Sequence, residues 1–331
     1  MKKLAILSIL FFAFYGCKKN NETPKSSSNS STKTYAEISI AQGGEWVDGP
    51  RNHKEYKNGK FFKNVNKLNV PQQHTDHTWY LRYEGPGWEN SNVGYRLYLD
   101  WRNAIDVFGK KVDSLVLPYV GQDGFDSYHE PSAWGQDILK AGKSLGIGGF
   151  GRLVSDTIVH FQKVEKTIAT IENTENSSAV NIHYKNWKSG NDSIDLTAKL
   201  AIFSEDRFTK ASLTPSKEIS GLSTGIVIAK NIPVLKKEGT KWAYIATYGK
   251  QTLANPPDNL GMALFYNLDD VDSQTLGQHD HLVTFKPTTK TVTYYFLAAW
   301  EQELSGIKTE EEFLKDINKK LASLEATNNI N

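Results

Sequence analysis

From about Tyr35 onward, apolar and polar residues alternate in short runs separated by Gly, Asn, Asp and Ser clusters. Period-two alternation marks strands that bury one face, and regularly spaced turn residues mark an antiparallel sandwich. The pattern predicts strands over 78–84, 93–101, 157–164, 166–172, 179–187, 193–202, 225–229, 242–248, 262–266, 281–286 and 291–298. Hairpin turns are expected at Lys57-Asn58-Gly59-Lys60 and at Ser189-Gly190-Asn191-Asp192, where Asn and Gly tolerate the backbone of a tight turn. Helical periodicity occurs twice. A short helix is predicted over 132–140 with Ser132 as its cap. A longer one covers 309–326, with a Thr309/Glu312 capping box and Phe313, Ile317, Leu321 and Leu324 on one face. No composition break divides 35–331, so the expectation is one large, mainly β domain: an antiparallel β-sandwich with a C-terminal helix packed on it.

The N-terminus changes the picture. Lys2 and Lys3 precede an apolar run, Leu4 to Tyr15, that is too short to span a bilayer and reads as a secretion signal over 1–16. It ends at Gly16-Cys17, and Cys17 is the only cysteine, an arrangement that resembles a bacterial lipobox. A lipidated Cys17 would hold the protein on a membrane through buried acyl chains. Residues 17–34 are rich in Ser, Asn, Lys and Thr and predict a disordered tether. A lone cysteine excludes a disulfide scaffold and a cysteine-based zinc cluster. The whole chain carries a formal charge of +2. Without Lys2, Lys3 and the tether, 33 basic residues face 36 acidic ones, so bulk charge favours no nucleic-acid partner. The anchor and the non-acidic tether predict a periplasm-facing lipoprotein.

Three clusters carry candidate chemistry. In Gly94 to Asn103, an extended chain places Arg96, Tyr98 and Asp100 on one face, with Arg102 following in file, near Trp88 and Trp101. Such a file forms the floor of a polar cleft, or else a solvated face of cross-strand ion pairs. In Gly121 to Glu130, glycines 121 and 124 predict a positioned loop carrying Tyr128 and His129, residue types that serve as general acids or bases, ahead of Trp134. The third is His279-Asp280-His281, a spacing that chelates a divalent metal or frames a substrate, with His74, Asp76 and His77 as potential partners. Arg207 in Glu205-Asp206-Arg207 offers a further cation, or a turn with an ion pair. The glycine-rich stretch 140–151 matches phosphate-loop, nucleophile-elbow and dinucleotide patterns on paper, but the flanking elements do not fit any of them.

Arg82 to Trp88, Gly94 to Asn103, Val107-Phe108-Gly109-Lys110 and Asp137 to Gly148 together resemble a family of proteins from polysaccharide-utilisation loci. That family includes the oligosaccharide dehydratase of ulvan breakdown. The resemblance implies a β-sandwich akin to galactose-mutarotase-like and polysaccharide-lyase domains. It also implies removal of water from a saturated glucuronate or iduronate at the non-reducing end of an oligosaccharide. The 4,5-unsaturated product would feed a downstream unsaturated glucuronyl hydrolase.

Such an elimination needs the substrate carboxylate neutralised, a base for the C5 proton and an acid for the departing hydroxyl. The expectation assigns Arg96, Arg102 and Asn103 to the carboxylate, His129 with Tyr98 or Tyr128 to acid and base duty, and Trp88 and Trp134 to sugar stacking. His279 and His281 are reserves for base, acid or metal, and no cofactor is required by the sequence. A non-catalytic glycan-binding lipoprotein would use the same aromatics and arginines, and a mutarotase or epimerase the same acid and base residues.

Overall fold

Alternation in the chain translates into sheets whose inward residues meet in one core. The computed structural model describes residues 33–50 and 53–330. The predicted signal 1–16, Cys17 and most of the 17–34 tether lie outside the described residues. Thr34, counted with the tether by composition, instead opens the strand Thr34–Glu37 and is buried, its Oγ1 bonded to Ser178.

A nine-stranded antiparallel sheet runs in the order Leu235–Glu238, Trp242–Lys250, Asn259–Asn267, Val292–Trp300, Phe208–Pro215, Asp192–Phe203, Ser177–Ser189, Lys166–Asn173 and Lys67–Asn69. Its inner face packs against two five-stranded sheets. One is ordered Thr34–Glu37, Gly87–Asn90, Val93–Leu97, Ile105–Lys110, Gly135–Asp137. The other is ordered Thr157–Val159, Ile147–Val154, Leu222–Val227, Asp280–Phe285, Val271–Leu276. A bridge between Ile105 and Gly146 joins the two, and residues from all three sheets form one hydrophobic core. This is the expected mainly β sandwich. Lys236, Lys237 and Glu238 charge one edge of the large sheet, which discourages pairing with another chain.

The outer face of the large sheet is covered by the helix Glu310–Thr327. The Thr309/Glu312 capping box is present, and Phe313, Ile317, Leu321 and Leu324 are buried as the periodicity predicts. A Cβ at Gly261 would stand 2.5 Å from the Phe313 ring, so a bare glycine is what lets the ring lie on the sheet. Among the described residues no helix is long and apolar enough to cross a membrane.

Five expectations are corrected. Residues 78–84 form a bend and the 3-10 turn Arg82–Glu84, because Trp79, Tyr83 and Glu84 take positive φ and Arg82 and Glu84 turn inward to ion pairs. The strand expected over 93–101 stops at Leu97, where Asn103 at φ 51° lets the chain turn back and Tyr98 N–H bonds the Ala104 carbonyl at 2.9 Å. The helix expected over 132–140 is a loop and the edge strand Gly135–Asp137. A Cβ at Gly135 would lie 1.8 Å from the Gly109 carbonyl, so the glycine that breaks the helix also permits the strand. The run 157–164 is extended only over Thr157–Val159. Of the two hairpins, Ser189–Asp192 closes as expected, whereas the strands flanking Lys57–Lys60 each pair elsewhere, with Glu45–Asp48 and Ser39–Gln42.

Phe313 is fully buried on the side of the large sheet away from the two five-stranded sheets. Phe313→Ala should therefore cost about 3–5 kcal/mol in chemical denaturation while leaving ligand binding by the folded protein unchanged.

Candidate functional site

Alternation in Val93–Leu97 sends Tyr95 and Leu97 into the core and Arg96 to the opposite face of the sheet. Directly across from Arg96 stands Asp106, and one strand further Asp137 closes on the same guanidinium. Arg96 is 1% exposed. Its Nη2 reaches Asp137 Oδ2 at 2.6 Å, Tyr98 Oη at 2.8 Å and Asp106 Oδ2 at 3.2 Å, and its Nη1 donates to Tyr128 Oη at 3.0 Å. The guanidinium also lies over the Tyr98 and Tyr128 rings, 4.6 and 5.0 Å from their centroids.

His129 joins this cluster from the 3-10 turn Ser127–His129. Its Nδ1 stands 3.1 Å from Asp137 Oδ2, and its side chain is 36% exposed. A carboxylate beside Nδ1 favours the tautomer with the proton on that nitrogen, the one a general base acting through Nε2 requires. Arg96 and His129 thus share Asp137, rather than lying on opposite surfaces.

Arg102 approaches from the turn after Leu97. Its guanidinium lies 3.9 Å from the Tyr98 ring centroid. Nε and Nη2 are taken by Asp100, and Nη2 also by Glu84 at 2.6 Å. Nη1 makes no hydrogen bond among the described residues, and the side chain is 11% exposed.

Burial and charge set the protonation states. Burial pushes Tyr98 well above the ordinary phenol value although Arg96 pulls the other way, and Tyr128 is raised for the same reason. Both phenols therefore hold their protons at neutral pH. Burial, reinforced by the Asp137 carboxylate, raises Asp106 far above the usual carboxylate range, and Tyr98 Oη donates to it at 2.7 Å. Against burial, Arg102 and Arg96 keep Glu84 below its ordinary value, and Arg102 and His77 do the same for Asp76.

Several expected roles are corrected. Arg96 cannot touch a substrate, because it is enclosed and its Nη donors are engaged internally; it positions other groups. Tyr128 is 1% exposed and likewise sits behind the surface. Asn103 is fully buried: its Nδ2 holds the Phe150 carbonyl and its Oδ1 accepts from Tyr184 Oη, so it stabilises the turn that presents Arg102. Trp88 points into the core, donating to Thr209 Oγ1 at 2.9 Å and stacking on Tyr95. Trp134 is half-buried, edge-on to Phe108 at 6.0 Å, one ring removed from Tyr128. Arg207 pairs with Glu303 at 2.9 Å, beside an Asp206 bonded to Lys320 of the helix, outside the cluster.

His279 and His281 do not act as a pair. His279 lines a small cleft with Trp101, Lys143 and His160, whereas His281 does not, and its Nε2 is buried without a partner. His74 lines a separate cleft, with Trp101 between the two, and bonds Thr78 Oγ1 at 2.6 Å. Among the described residues no group of three or more His, Cys, Asp or Glu is arranged to hold a metal ion.

Asp106, Asp137 and Glu84 are the cluster members that sequence reasoning missed. A single acidic residue inside an apolar run, as in Ile105-Asp106-Val107, is the signal that a buried cation lies opposite.

Asp280 supplies a separate test of burial. It is enclosed, accepts from Leu145 N–H at 2.9 Å, and burial pushes its carboxyl from the usual 3.8 up to about 7. The native state then binds a proton that the unfolded chain has released. Its contribution is fully present below the unfolded value and is lost as pH rises toward about 7. Relative to Asp280→Asn, the wild type should lose stability between about pH 4 and pH 7 in urea titrations. A pH-independent difference would contradict this.

Among solved structures, a TPR-domain containing protein from Parabacteroides distasonis ATCC 8503 shares 10% identity with a TM-score of 0.32. The alignment covers 80% of this chain and 54% of that one, so the chain spans about half that structure's length. A likeness this low carries no argument about fold or role. None of the curated proteins matches the sequence. Residues 18–327, nearly the whole chain, match the family described as a domain of unknown function, DUF4861, and the chain belongs to that family.

Proposed function

We propose that this protein is a carbohydrate hydro-lyase that eliminates water from a saturated uronate at the non-reducing end of an ulvan-type oligosaccharide. The observation that carries the reading is the half-exposed His129 imidazole, oriented by Asp137 beside a protonated, 7%-exposed Tyr98 and the unbonded Nη1 of Arg102. In this reading His129 Nε2 removes the C5 proton and Arg102 Nη1 meets the carboxylate that takes up the charge. Tyr98 protonates the departing 4-hydroxyl and is reprotonated from solvent as His129 gives up the C5 proton, while Asp106 behind it holds the phenol in place. Tyr128 and Arg96 hold this geometry from beneath. The resemblance of the sequence to the ulvan dehydratase family supports the substrate class. On the same reading the chain is anchored through Cys17, faces the periplasm and passes its product to an unsaturated glucuronyl hydrolase.

One observation favours a second reading. Glu84 and Asp100 already match the charge of Arg102, which suits a neutral sugar and a mutarotase or epimerase using the same acid and base.

Incubation with saturated glucuronate-ended ulvan oligosaccharides separates the two. Elimination yields a product lighter by one water with the ultraviolet absorbance of a conjugated double bond; an unchanged mass supports isomerisation. His129→Ala should lower kcat by about 10²- to 10⁴-fold, the usual worth of a positioned proton transfer, and Tyr98→Phe should fall in the same range. Full turnover by correctly folded His129→Ala excludes His129 as the base.

A further inference from the structure

A cavity lined by aromatic rings lies outside the charged cluster and is divided from it by Phe125. It measures about 330 Å3, within the range of small-ligand sites. Trp79 and Phe125 line it, edge to face with centroids 4.0 Å apart. Phe125 also meets His77 at 5.9 Å and His129 at 6.4 Å, so the partition is one ring thick. Tyr56 and Phe61 add to the lining. Tyr56 is braced by Trp46 and Tyr80, whereas Phe61 is 60% exposed, a large apolar ring left in water beside the opening.

The polar groups at this cavity are few. Lys60 is exposed and its ammonium makes no hydrogen bond or ion pair among the described residues; Arg82 is buried against Glu37, Asp123 accepts from Ser127 Oγ, and Gln122 is tied to the Pro118 carbonyl at 3.1 Å. Aromatic rings with a few hydrogen-bonding groups suit a pyranose, whose C–H faces stack and whose hydroxyls need partners. With Arg82 neutralised by Glu37, the Lys60 ammonium is the cation available at the opening to meet an anionic substituent on the ring.

We infer that this cavity is a second sugar subsite, which seats a ring two or more places along from the one held at His129 in the same anionic oligosaccharide. The inference rests on the hydro-lyase reading only for the identity of the reacting ring. Phe61 supplies the stacking face and Lys60 the charge. Neither belongs to the charged cluster, and both are at the surface, so their removal leaves the fold intact.

Phe61→Ala and Lys60→Ala are compared with wild type on saturated glucuronate-ended ulvan di- and tetrasaccharides. KM and kcat are measured by product absorbance, and Kd by calorimetry in a His129→Ala background. On the tetrasaccharide each variant should raise KM and Kd by up to about tenfold, as expected for losing one aromatic or charged contact, with kcat unchanged. On the disaccharide, too short to fill both positions, neither constant should move. Equal effects on both lengths, or none on the tetrasaccharide, overturn the subsite even if elimination proceeds normally. Absent elimination with chain-length-dependent binding that Phe61→Ala weakens overturns the hydro-lyase reading and leaves the subsite standing.

Discussion

The guanidinium of Arg96 is the constraint on which the site depends. An ion enclosed this fully loses its hydration, and only close carboxylates with further hydrogen bonds offset that loss. Asp137 and Asp106 supply the charge, and Tyr98 and Tyr128 the remaining acceptors and ring faces. Each of these groups comes from a different stretch of chain, so one cation draws three strands, a turn and a loop to one place. His129 is oriented only because Asp137 is already fixed by that cation.

The arrangement separates groups that hold from groups that face solvent. Behind the surface, Arg96, Asp106, Asp137 and Tyr128 form a rigid base with little room to relax. In front, His129, Arg102, His77 and Asp76 are partly exposed around it. A buried array of fixed charges and dipoles does not reorganise when a reaction moves a proton, which is what makes such an environment effective.

Much of the fold was legible because sandwich strands advertise themselves by alternation and the helix by its cap and stripe. The errors fall where side-chain chemistry overrides the local pattern: at 78–84, where Arg82 and Glu84 seek buried partners, and at 132–140, where Gly135 permits a strand instead of a helix. The meeting of Arg96, Tyr98 and His129 was foreseeable from residue types. Its depth was not. Alternation tells which face a residue occupies but not whether another layer covers that face. Arg96 therefore read as a cleft-lining cation, and Trp88 and Asn103 as sugar contacts, although packing encloses all three. Asp106 escaped notice as a lone acid between Ile105 and Val107, and Glu84 and Asp137 because a cluster assembled from distant segments leaves no spacing to recognise.

Tyr95 and Arg96 are adjacent in sequence, yet one belongs to the oily interior and the other to the ionic nest on the reverse of the same strand. A slip of Val93–Leu97 by one residue against its neighbours would exchange them, driving a bare cation into hydrocarbon and stranding two carboxylates. The ionic nest thus acts as a registration pin for the hairpin that carries it. Insertions at Asn90–Val93 would be selected against for misalignment of the sheet, before any question of chemistry arises.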